Sequence, residues 1–262
     1  MTSSITGFYR FAQAVLTPIM TPWVKIRATG TENIPEKGPY LLVFNHLSDV
    51  DPLCVCWYFM KRGVPVRFLA KKSMFGVPVF GKIINGMGLI PVDREKNPSQ
   101  ALLPATRALN SGEVVCIWPE GTHTQEPDMW PMSFKTGAAR LALDTGVPVI
   151  PVAQWGPQDI MDRFASMPNM RPGQKVSYTF MPPVKMDDLI SEAGSKDHEA
   201  VEELTTRIRD AVTAGVEELR GAKAPERIWK AYTKAGPWWE DEQKQRAKKA
   251  KKVKKAAKRK RS

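Results

Sequence analysis

Tyr40-Leu41-Leu42-Val43-Phe44 is a short, continuous apolar run, and it constrains the fold more than any other segment. Five such residues bounded by polar ones read as a strand buried on both faces rather than a half-exposed one. Comparable runs recur as Gly88-Leu89-Ile90-Pro91-Val92, Val114-Val115-Cys116-Ile117-Trp118 and Gly146-Val147-Pro148-Val149-Ile150-Pro151-Val152. Helix-like stretches separate or follow them, at 97–110, 134–144 and 198–220. Strands alternating with helices predict an α/β domain with a mostly parallel central sheet flanked by helices. With 262 residues and 42% apolar content, the chain can build one substantial core and is far from an integral membrane bundle.

Polar groups gather where these runs end. The first continues into Asn45-His46-Leu47-Ser48-Asp49-Val50-Asp51, a histidine followed five residues later by an aspartate. A carboxylate one short turn beyond a histidine can accept Nδ1–H, fix the tautomer and leave Nε2 to take a proton. No Gly-x-Ser-x-Gly elbow supplies a serine nucleophile, so the hydroxyl to be activated would belong to a substrate. The second run ends at Asp93-Arg94 and the third opens into Pro119-Glu120-Gly121-Thr122. In open α/β sheets such strand ends are where ligands are bound. Asp51 precedes Pro52, so it could instead cap its own helix, in which case Asp49 would be the alternative orienter of His46.

The order of these blocks resembles the glycerolipid acyltransferases, the family of 1-acyl-sn-glycerol-3-phosphate and glycerol-3-phosphate acyltransferases. It runs His46-x-x-x-x-Asp51, Gly88-Leu-Ile-Pro-Val-Asp-Arg94, Trp118-Pro-Glu-Gly-Thr122, then Val147-Pro-Val-Ile-Pro-Val152, within roughly residues 25 to 185. The resemblance implies transfer of an acyl chain from acyl-CoA or acyl carrier protein to the free hydroxyl of a glycerol phosphate or lysophospholipid. The product from 1-acylglycerol-3-phosphate is phosphatidic acid. On this chain it implies His46 as general base and Asp51 as its partner. Arg94 would bind the acceptor's phosphate, and Asn45, Ser48, Glu120, Gly121, Thr122 and Lys135 would help to bind substrate. No cofactor and no metal is implied.

One departure bears on the acceptor. The family's third block usually continues Pro-Glu-Gly-Thr-Arg-Ser, whereas here it reads Pro-Glu-Gly-Thr-His123-Thr124. Arginine is a fixed bidentate cation, while histidine is neutral for much of the physiological range. Phosphate binding would then lean on Arg94 and on Lys135, which alternatively is a charged residue at the start of an exposed helix.

Three cysteines, two in Cys54-Val55-Cys56, fit buried free thiols in a reducing compartment better than a disulfide framework. His46, His123 and His198 are too scattered to suggest zinc, and His198 lies in a charged helical run. The net charge of +12 is confined to one place: residues 243–262 hold twelve Lys or Arg and no acid, and the remaining chain is formally neutral. Such a tail suits an anionic membrane surface, with nucleic acid or bulk solvent as alternatives. The segment 7–25 is aromatic and aliphatic, but Arg10, Gln13, Pro18 and Pro22 interrupt it below the ~20 apolar residues of a spanning helix. It lacks a signal peptide's basic start and small-residue cleavage site. It reads as an interfacial helix or helix pair, or as an amphipathic helix packed on the domain. Trp238-Trp239 before the tail is a pair suited to headgroup depth. The expected organisation is an N-terminal interfacial segment over 1–27, a catalytic domain over 28–222, and a linker with the basic tail over 223–262. The expected location is the cytoplasmic face of the cell membrane, held peripherally.

Overall fold

A computed structural model describes residues 7–76, 89–92 and 98–230. Arg94, Trp238, Trp239 and the basic tail lie outside them. In chain order the main elements are α1 (Gly7–Trp23), β1 (Val24–Thr29), β2 (Tyr40–Phe44), α2 (Asp51–Lys61), β3 (Val66–Lys71), β4 (Ile90–Val92) and α3 (Pro98–Asn110). There follow β5 (Val114–Ile117), α4 (Gly137–Thr145), β6 (Val149–Trp155), a single turn α5 (Pro157–Ile160), β7 (Gln174–Phe180) and α6 (His198–Arg220).

Seven strands form one sheet in the order β1-β7-β6-β2-β5-β3-β4. The middle is parallel, with β2 between β5 and β6. β7 runs antiparallel to β6 and parallel to β1, so β1 and β7 point against the other five strands. The expected mostly parallel sheet is therefore present, with a reversed pair at one edge.

β2 explains the layering. Its residues are all buried, and their alternation divides them between two cores. Tyr40, Leu42 and Phe44 join the core built with α2 residues such as Cys54, Trp57 and Phe59, and with Tyr178 and Phe180 of β7. Leu41 and Val43 face the other core, with Ala139, Leu141 and Ala142 of α4 and Leu204 and Ile208 of α6. A period of two on a strand buried on both sides requires helices on both faces. Truncating a fully buried leucine such as Leu42 to alanine costs about 2–5 kcal/mol.

The N-terminal segment is a single helix, α1, not a pair. Ala12, Leu16, Met20 and Trp23 turn toward the first core, while Phe11, Val15 and Ile19 are exposed. Trp23 donates its indole N–H to Asn169 O at 2.8 Å, tying the helix end to the segment before β7. Among the described residues no helix is long and apolar enough to cross a membrane. All three cysteines are free and buried, and burial raises their thiol pKa values, that of Cys56 to about 12.

Candidate active site

His46 stands two residues beyond the end of β2, and the strand's own neighbours hold that end still. Asn45 Oδ1 accepts the backbone N–H of Gln154 at 2.8 Å, and its amide donates to Gln154 O at 3.1 Å. Gln154 Nε2 donates in return to Asn45 O at 2.6 Å. Asn45 thus fastens β2 to β6 beside the histidine.

The His46–Asp51 contact is a hydrogen bond of 2.8 Å between Nδ1 and Oδ2. The same carboxylate oxygen accepts the backbone N–H groups of Leu47 at 2.7 Å and Ser48 at 3.1 Å. Asp51 therefore reaches back over the loop instead of capping its own helix, whose N-cap is Val50 and has no side-chain cap. An ionised carboxylate on Nδ1 selects the tautomer that carries its proton there and leaves Nε2 as the acceptor. Asp51 is fully buried and the His46 side chain is 17% exposed. Burial lowers the His46 pKa from its ordinary 6.5; Asp51 raises it in opposition, and His123 lowers it further. The balance favours the neutral imidazole, the form whose Nε2 can accept a proton.

Ser48 is buried, donating its hydroxyl to Met161 O at 2.6 Å and accepting from Val50 N at 3.3 Å.

The Pro-Glu-Gly-Thr turn after β5 grips the histidine's main chain from both sides. Glu120 Oε1 accepts the His46 N–H at 2.7 Å, and Thr124 N donates to His46 O at 2.8 Å. The second oxygen of Glu120 accepts from Met132 N at 3.0 Å. Glu120 is 1% exposed, and burial raises its pKa to about 8 against the pull of these two donors. Its side chain, expected to hold the acceptor, instead holds the backbone of His46 and Met132, because both oxygens are taken by buried backbone N–H groups that need partners. Asn45 and Ser48, expected in substrate binding, are likewise bonded to the protein.

Gly121 and Lys135 do come together. Gly121 has φ +75°, a backbone open mainly to glycine, and a Cβ there would lie 2.6 Å from Lys135 Nζ. Lys135 is exposed, its backbone N–H bonded to Pro119 O at 2.9 Å. Thr122 is half-buried in the same turn. Arg94 lies outside the described residues.

Two further residues complete the wall of the site. His123 Nε2 meets Asp49 Oδ1 at 2.9 Å, and the His123 ring stands edge-on to His46, with centroids 4.5 Å apart and planes at 83°. Trp118 covers another side of His46 at 5.5 Å. Asp49, read from sequence as the alternative partner of His46, serves the second histidine instead. Its signal was present as the departure from arginine at 123, but only the fold shows what that histidine touches.

Comparison with known proteins places these features in a class. The family described as Acyltransferase matches residues 25–155, half of the chain, and the chain belongs to it. A 1-acyl-sn-glycerol-3-phosphate acyltransferase of Borreliella burgdorferi is 34% identical over 131 residues, covering 49% of this chain and 50% of that protein. A chloroplastic 1-acyl-sn-glycerol-3-phosphate acyltransferase of Arabidopsis thaliana is 33% identical over 143 residues, 53% of this chain and 38% of that one. The chain spans about half the length, or less, of the first curated relatives it matches. The crystal structure of the 1-acyl-sn-glycerophosphate acyltransferase of Thermotoga maritima superposes with a TM-score of 0.61 at 25% identity, covering 83% of this chain and 80% of that one.

Proposed function

We propose that this protein is an O-acyltransferase that moves an acyl chain from a thioester donor to the free hydroxyl of 1-acylglycerol-3-phosphate, forming phosphatidic acid. The observation that carries the reading is the His46 ring, fixed through Nδ1 by the buried Asp51 carboxylate, with no serine or cysteine side chain hydrogen-bonded to it among the described residues. Ser48, two residues away, has its hydroxyl bound to Met161 O, and the three thiols are buried with raised pKa values. Relatives named as 1-acyl-sn-glycerol-3-phosphate acyltransferases support the choice of acceptor.

In this reading Nε2 of His46 takes the acceptor's hydroxyl proton as its oxygen attacks the thioester carbonyl. A C–O bond forms and the carbonyl π pair moves to oxygen. The intermediate then expels the sulfur, and the C–S bond breaks. The imidazolium returns its proton to the thiolate, so the products are ester and thiol. Asp51 stabilises the imidazolium formed between these steps. General base catalysis of this kind contributes about 10²–10⁴-fold, and juxtaposition of acceptor and donor contributes further. In this reading Lys135, beside Gly121, is a cation for the acceptor's phosphate, and Arg94 is a second one proposed from the sequence alone. Acyl-CoA and acyl carrier protein both remain donors, and glycerol-3-phosphate or another lysophospholipid is the second acceptor class; of these, the histidine at 123 in place of arginine favours a lysophospholipid.

The exposed apolar stripe of α1 and the basic tail support peripheral attachment to an anionic membrane, at its cytoplasmic face. Thiol release from acyl-CoA across a panel of acceptors tests the function. Release that depends on 1-acylglycerol-3-phosphate and is lost in His46→Ala is the expected result. Undiminished release by His46→Ala would overturn the mechanism.

A further inference from the structure

We propose that residues 220–230, the end of α6 and the strap that follows it, position the base of this site. Arg220 and the Trp229 carbonyl clamp residues 128–133, and that segment secures both main-chain groups of His46. This rests on the acyl-transfer reading above and adds positioning residues to it. They lie outside 25–155, where the chain matches its family, and they extend the catalytic unit to residue 230.

The His46 backbone leads to one place from either side. Its N–H donates to Glu120, whose other oxygen accepts from Met132 N at 3.0 Å. Its carbonyl accepts from Thr124 N, and Thr124 Oγ1 donates to Trp130 O at 2.6 Å. Glu126 Oε2 accepts from Trp130 N at 3.0 Å and folds the loop back on itself. Arg163 holds the near end of this loop through the carbonyls of Thr124 and Glu126. The place of His46 therefore depends on where residues 130–132 are held, since buried polar groups in one network move together or lose partners.

The far end is held from α6. The Arg220 guanidinium faces the Trp130 and Trp155 rings, 4.0 and 4.4 Å from their centroids, and donates to Asp128 O at 2.8 Å. A planar cation can lie against indole faces and still direct an N–H at a carbonyl, a geometry that lysine's compact ammonium does not reproduce. Gly221, at φ +60°, then turns the chain out of the helix. Glu217 Oε1 accepts Ala224 N at 2.8 Å, and Ala224 packs with Val216 and Leu219 around Trp130. Further on, Trp229 O accepts Ser133 N at 2.8 Å. The adjacent N–H groups of Met132 and Ser133 are thus taken by Glu120 and by the strap. This joins residues 220–230 to the carboxylate that fixes His46.

In the full-length protein, Arg220→Ala should lower kcat about ten- to a hundredfold, because a displacement near 1 Å at a reacting group costs about 10²-fold. KM for donor and acceptor should stay unchanged, because the clamp does not touch substrate. Arg220→Lys should recover part of the loss, since it keeps the charge and the apolar stem. Amide NMR supplies a signature: the His46 and Thr124 resonances should shift with that of Ser133, while Ile26 and Ala28 on the edge strand β1 stay in place. Should Arg220→Ala not fold, native-state hydrogen exchange on the wild type decides. The amides of His46, Thr124, Met132 and Ser133 should then share one opening. An unchanged kcat in Arg220→Ala, or a Ser133 amide that opens while His46 and Thr124 stay protected, would overturn the proposal. A concerted opening in a protein that consumes no thioester with any acceptor would support the clamp and remove the acyl-transfer reading.

Discussion

The backbone N–H of His46 donates to Oε1 of Glu120 at 2.7 Å, so a carboxylate 74 positions away in sequence sets the place of the proposed base. Glu120→Gln keeps one acceptor and loses the other, leaving a buried backbone donor unsatisfied at a cost of about 1–3 kcal/mol. The expected result is a lower melting temperature and a fall in kcat with little change in donor KM. The pH dependence carries a sign. Burial raises the Glu120 pKa from 4.5 to about 8, so the folded chain binds this proton more readily than the unfolded one. Its contribution to stability is present at low pH and is lost as pH rises through that window. The stability gap between wild type and Glu120→Gln should therefore be smaller at pH 8 than at pH 5 in denaturant titrations.

Asp51 and His46 make a second prediction. Asp51→Asn should reduce acyl transfer by an amount on the order of 10²–10⁴, because an amide no longer enforces the productive tautomer. With an uncharged alcohol acceptor, the acid limb of the wild-type rate should fall below pH 6.5, since burial depresses the His46 pKa. Losing Asp51's opposing influence should move that limb lower still. A limb above the ordinary histidine value would count against His46 as the base.

Gly121 offers a test of Lys135. Alanine at φ +75° costs roughly 1–2 kcal/mol of backbone strain, and its methyl group would displace the lysine's end from 2.6 Å. We expect a melting temperature lower by several degrees and an acceptor KM that rises more than the donor KM. An unchanged acceptor KM would take Lys135 out of the acceptor subsite.

Deleting residues 243–262 removes twelve cations and leaves the formally neutral body. Activity on a soluble short-chain acceptor should persist. Binding to anionic vesicles should weaken and lose its dependence on salt, which screens surface charge over ~8–10 Å at physiological strength. Flotation at low and high salt decides this. Unaltered salt-sensitive binding would place the charge contact elsewhere, and tail-dependent binding to duplex nucleic acid alone would indicate a different partner.

The α/β architecture was legible because burial on two faces leaves a local mark. Tyr40–Phe44 and Val114–Ile117 have no polar residue, and the helices now seen at Pro98–Asn110, Gly137–Thr145 and His198–Arg220 carry a 3.6-residue period. The His46–Asp51 contact was legible for a similar reason. Four intervening residues leave a carboxylate few places to go, and its choice of ring over helix cap was the part left open.

The tertiary structure decided what depends on distant partners. β1 and β7 carry Lys25, Arg27, Gln174, Lys175 and Ser177, which blur an apolar pattern, and nothing local states that β7 pairs antiparallel with β6. Glu120 follows a buried strand and looked like a ligand for substrate, yet the backbone N–H groups of His46 and Met132 claim both of its oxygens. His123 looked like a lost arginine until the fold placed Asp49 on one side of it and His46 on the other. The sequence by itself determined which continuous apolar runs are buried and which polar residues follow them, since hydrophobicity is a property of each side chain. Only the tertiary structure decided which polar atoms meet, because a hydrogen bond requires two groups to arrive within 3 Å from separate parts of the chain.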